Sequence, residues 1–95
     1  MKTVVQIQLQ QMFPRGEYEE LAKHPQLALA PARIRGTLAA TKDWRVRESL
    51  ALNPALARFP ETAAWLSTDI DHRVRSCLAS NPALQQHGNT DNQLK

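Results

Sequence analysis

The sequence predicts an all-α domain, a short α-solenoid of about three helical repeats, on three observations. The phrase DWRVRESLALNPAL at residues 43–56 returns as DHRVRSCLASNPAL at residues 71–84, so Asn53-Pro54 and Asn81-Pro82 lie 28 residues apart. A period in this range marks stacked helical units. Aromatic residues make up only 5% of the chain, leaving a core of Leu, Ala, Val and Ile that suits packed helices better than a sheet. The prolines fall at the ends of apolar, helix-period segments, where they start or stop helices.

Residues 1–13 carry two competing periods. Val5, Ile7 and Leu9 alternate as in a strand, while Val5, Leu9, Met12 and Phe13 share one helical face. We favour the helix, because a lone strand has no partner here, Thr3 can cap the start and Pro14 forces the stop. Residues 17–23 read as a second helix, acidic at its start and basic at its end as the helix dipole prefers, closed by His24-Pro25. Pro31 opens a third helix with Ile34 and Leu38 one turn apart, and Pro60 opens an equivalent one around Ala64, Trp65 and Leu66. Each is followed by a charged turn and then by a copy of the repeated phrase.

Within the phrase, Val46 stacks on Leu50 and Val74 on Leu78, and these four anchor the core. The following Asn-Pro-Ala-Leu ends one helix and restarts another turn, with Asn as its cap and Leu56 or Leu84 folding back inward. His24 stands where the later copies have Asn, and the first copy lacks the Arg-Val-Arg core, as expected of a terminal repeat. The organisation expected is one domain over residues 1–86, with an eroded N-terminal repeat and full repeats around 31–56 and 60–84. Residues 87–95 are expected to be a disordered polar tail.

Asp43 and Asp71 precede Arg47 and Arg75 by one turn, a spacing that predicts structural ion pairs. Arg45 and Arg73 point away from the Val–Leu stripe, have no such structural reason to recur, and align as a ladder across the repeats. Trp44, Glu48 and Leu52 from the first copy and His72 from the second join them as the candidate binding face. An arginine ladder with an aromatic at its edge can hold carboxylates or phosphates by forked hydrogen bonds.

The pattern D-x-R-V-R-x-x-L-A-x-N-P-x-L at residues 43–56 and 71–84 resembles the leucine-rich repeat variant, a short bacterial helical repeat, and more distantly HEAT repeats. The resemblance covers roughly residues 21–84. It implies alternating short helices, some of them 3-10, wound into a right-handed superhelix, and it carries no general activity. Some members hold an iron–sulfur centre on an N-terminal cysteine cluster. The N-terminal segment here contains no cysteine, so that feature does not transfer.

Chemistry is sparse. Three glycines exclude Gly-rich phosphate loops, and the single Cys77 excludes an intrachain disulfide or a Cys-x-x-Cys site. His24, His72 and His87 lack a nearby nucleophile in sequence. The carboxylate pairs Asp69, Asp71 and Glu19, Glu20 read as solvated helix-start charges. The expectation is therefore no enzyme, no metal and no cofactor. Residues 1–13 have neither the apolar run nor the cleavage site of a signal peptide. No stretch approaches the ~20 apolar residues of a membrane span, so a cytoplasmic protein off the membrane is expected. A net charge of +3 permits an acidic partner without demanding one. A protein partner is favoured. Nucleic acid is the alternative, because Arg33, Arg35, Lys42, Arg45, Arg47, Arg58, Arg73 and Arg75 concentrate positive charge in the repeats, though interleaved carboxylates dilute it. The exposed ends of so short a stack leave a homodimer open.

Overall fold

Six α-helices and two 3-10 turns follow one another, and residues 82–84 are helical again, with no strand among the described residues, which are 2–84 of this computed structural model. They are α1 (Val4–Met12), α2 (Tyr18–Lys23), a 3-10 turn (Leu27–Leu29), α3 (Ala32–Ala40), α4 (Trp44–Ala51), a second 3-10 turn (Pro54–Arg58), α5 (Pro60–Ser67) and α6 (His72–Ser80). The expected disordered tail at 87–95, the domain end at 86 and His87 lie outside the described residues. Among those residues no helix is long and apolar enough to cross a membrane.

Local chemistry accounts for the boundaries. At α1 the helical period prevails over the alternating one. Thr3 accepts from the Gln6 N–H at 3.2 Å while Gln6 Oε1 accepts from the Thr3 N–H at 2.8 Å, a reciprocal capping box that satisfies two orphan donors. Asp43 caps α4 by accepting from the Arg45 N–H at 2.9 Å, and Asp71 caps α6 through the Arg73 N–H at 2.8 Å. Pro54 and Pro60 occupy the first position of their segments, where a missing N–H costs nothing.

Packing follows the phrase. Helix α4 lies between α2 and α6 and touches both, while α3 and α5 contact one another and each packs on the helix that follows it. Val46, Leu50, Val74 and Leu78 are all buried, as expected, in one cluster with Leu9, Leu21, Ile34, Leu38, Leu56 and Leu66.

The Asn of the phrase does more than cap. Asn53 Oδ1 accepts from the Ala55 N–H at 2.9 Å, the local role expected of it. Its buried Nδ2 also donates backward, to the Ala22 carbonyl at 2.8 Å and the His24 carbonyl at 2.9 Å. Asn81 repeats the pattern one unit later, Nδ2 reaching the Ala51 and Asn53 carbonyls at 2.9 and 3.0 Å and Oδ1 accepting from the Ala83 N–H at 3.1 Å. Each Asn thus ties its own corner to the preceding one, satisfying carbonyls that a helix end leaves orphaned. His24 occupies the same place in the first copy. Its Nδ1 accepts from the Gln26 N–H at 3.0 Å, which reproduces the local half of the role.

Candidate functional site

The repeated arginines are placed differently from the sequence expectation. Arg47 does not pair with Asp43, whose carboxylate is turned to the α4 N-terminus. It reaches Asp69 in the turn before α6, Nε to Oδ2 at 2.7 Å and Nη2 to Oδ1 at 3.2 Å, and its Nη1 donates to the Thr41 carbonyl. This forked pair is largely buried, the two side chains being 11% and 5% exposed. Asp69 also accepts from the Asp71 N–H at 2.9 Å, fixing the turn. Arg75 likewise donates to the Asp69 carbonyl instead of pairing with Asp71. The structural role read for Arg47 and Arg75 stands, but the partner lies across the turn in one case and on the backbone in the other. A double-mutant cycle on unfolding free energy should return about 2 kcal/mol of coupling between Arg47 and Asp69, and none between Arg47 and Asp43. The reverse pattern would overturn the assignment.

On the predicted face, the structure brings Trp44, Arg45 and Arg73 together. Trp44 begins α4, is half-buried against the core, and carries the Arg73 guanidinium 3.5 Å over its ring and that of Arg45 at 5.2 Å. Arg73, read from sequence as having no structural reason to recur, has two. Besides stacking on Trp44, it grips the α6 cap residue Asp71, Nε to Oδ1 at 3.0 Å and Nη2 to Oδ2 at 2.8 Å. The Arg73 hydrogen bonds hold the Asp71 carboxyl well below the usual carboxylate range, and the same contact raises Arg73. Glu48 is half-buried and sits against Cys77 of α6. Burial first, and then Glu48, push the Cys77 thiol up, away from a reactive thiolate. Leu52, at the far end of α4, and His72, in the place of Trp44 one unit later, are exposed.

The cationic character of this region is reduced by such contacts. Arg35 lies 3.6 Å over the Phe59 ring with Nη1 on the Ala30 carbonyl at 3.4 Å, and Arg47 and Arg73 each hold a carboxylate. Arg33, Lys42, Arg45 and Arg58 form no ion pair with the described residues. Among the described residues no three His, Cys, Asp or Glu side chains converge as a metal site would require.

A second surface was not singled out in the sequence. On the α3–α5 side Trp65 is 62% exposed, with its indole N–H on the Ala39 carbonyl at 3.3 Å, and Ile70 is 93% exposed. Two shallow grooves flank Trp65. One contains Gly36, Glu61 and Thr62, the other Lys42, Thr68 and Ile70, and Ala39 and Ala40 border both. The signal available in sequence was the adjacency of Trp65 to Leu66. Consecutive helical residues point about 100° apart, so only one of them can take the core direction, and Leu66 does.

Comparison of the chain with protein families, with curated proteins and with solved structures finds no match in any of the three.

Proposed function

We propose that the chain is a non-catalytic helical-repeat module that binds a protein partner through the α4–α6 face. In this reading α3, α4 and the following 3-10 turn form one unit and α5 and α6 the next. The units stack as a short right-handed superhelix of the kind the leucine-rich repeat variant and HEAT resemblance implies. The backward-reaching Asn53 and Asn81 support the stacking, since each unit presents the same two bonds to the one before it.

The observation that carries the choice of partner is the fork between Arg73 and Asp71. A polyanion-binding face keeps its arginines free for phosphates. Here one of the two ladder arginines is already neutralised, and Glu48 adds a negative charge between α4 and α6. A surface of mixed sign around an aromatic, with Leu52 exposed at its edge, suits the mixed surface of another protein.

Retention on heparin and on duplex DNA tests this directly. A protein-binding face predicts a shallow dependence on salt, a log–log slope of magnitude below about 2, whereas six or more phosphate contacts would give about 5 or steeper. A steep slope removed by Arg45→Ala would replace this reading with the nucleic-acid one.

A further inference from the structure

We infer that the α3–α5 face pairs with the same face of a second copy of this chain about a two-fold axis, the Trp65 indole of each copy seating on Gly36 of the other. This goes beyond the proposed function, since the Arg45 surface lies on other helices and either assignment stands without the other.

Three features of the single chain point to it. Trp65 and Ile70 leave a large apolar surface uncovered beside the small residues Ala39 and Ala40, the kind of patch that marks a protein contact. Gly36 sits inside α3, where glycine weakens a helix relative to alanine. A Cβ added there would meet nothing within 4 Å, so no close packing within the chain requires the glycine. The glycine leaves that space open to close approach from outside. The indole of another copy is flat, rigid and large enough to use the shelf that Gly36 opens.

The third feature selects a second copy over an unrelated partner. Gly36, in the middle of α3, shares one groove with Glu61 and Thr62 in the first turn of α5, and Lys42 and Ile70, which follow the ends of the two helices, share the other. The two helices therefore run the same way, with a carboxylate at one end of the patch and an ammonium at the other. Neither Glu61 nor Lys42 forms an ion pair with the described residues. A two-fold axis passing between Trp65 and Gly36 reverses the direction of the opposing helices and brings Lys42 of each copy toward Glu61 of the other. Asp69 adds no repulsion, because Arg47 holds it. The face is thus complementary to itself in shape and in charge, as an isologous interface requires.

Sedimentation equilibrium of the purified chain from about 1 µM to about 1 mM reads the association. A monomer–dimer equilibrium within that range is expected. Gly36→Gln should keep or raise helicity and the melting temperature in dilute solution, because it removes a helix-weakening glycine, yet weaken dimerisation at least tenfold or so by filling the shelf. Lys42→Glu and Glu61→Lys should each weaken it about fivefold to tenfold at low salt, and the chain carrying both should recover to within about twofold of the parent. A chain that stays monomeric throughout the range overturns the inference, even if an unrelated protein occupies the face. So does a dimer indifferent to Gly36→Gln, or one that the double charge exchange fails to restore.

Discussion

Alanine at Asn53 is expected to lower the unfolding free energy by about 3–4 kcal/mol, a large share of the stability of a domain this size. The substitution removes two donated bonds and leaves the Ala22 and His24 carbonyls without them. It also removes the acceptor for the Ala55 N–H, so losses from hydrogen bonding and capping fall on one residue. Urea denaturation of parent and variant measures it, with an unchanged slope showing that the same surface is exposed. Asn53→Asp separates the two halves of the role. It keeps an acceptor for Ala55 but turns a carboxylate toward two carbonyls, and at neutral pH it should destabilise more than alanine does. If aspartate proves the milder change, the donated bonds contribute little and the capping role dominates.

Leu50→Ala is expected to cost about 3–5 kcal/mol and Leu78→Ala about 2–3 kcal/mol, although the two residues occupy the same place in the repeated phrase. The difference lies in their neighbours. Leu50 is fully buried on α4, the helix with a packed neighbour on either side. Leu78 is 8% exposed and borders a shallow groove with Ala63, Ala64 and Leu84. A cavity at Leu50 is sealed, whereas one at Leu78 opens toward solvent and can be relieved by small movements of its rim. Thermal or urea melts that rank the two in the opposite order would contradict this description of the core.

The helices and their core anchors were legible in the sequence because they depend on local periodicity and on proline. Val46, Leu50, Val74 and Leu78 needed nothing beyond the wheel. The ion pairs were less legible. Asp43 and Asp69 are both within reach of Arg47 in principle, and the one nearer in sequence is consumed by capping α4. A carboxylate aimed at the Arg45 N–H points along the helix axis, away from the Arg47 guanidinium. Asparagine was half legible, since the accepted bond runs two residues along the chain while the donated ones run to a neighbour the sequence does not place. Of the candidate face, the cluster of Trp44, Arg45 and Arg73 was anticipated, but the fork from Arg73 to its own cap was not. That fork belongs to a side-chain rotamer, which spacing leaves undetermined.

The backward reach of the asparagines also bears on how the chain finds its structure. The bonds from Asn53 and Asn81 close loops of 28 to 31 residues, and those from Arg47 to Asp69 and Trp65 to Ala39 close 22 and 26. No side-chain bond among them spans more than about one unit. Loop-closure entropy grows only slowly with length, so these closures are similar in difficulty and none waits on the meeting of distant ends. The acceptors lie upstream of every Asn, so during synthesis each corner leaves the ribosome after the carbonyls it must find. The chain can assemble in the order in which it is made.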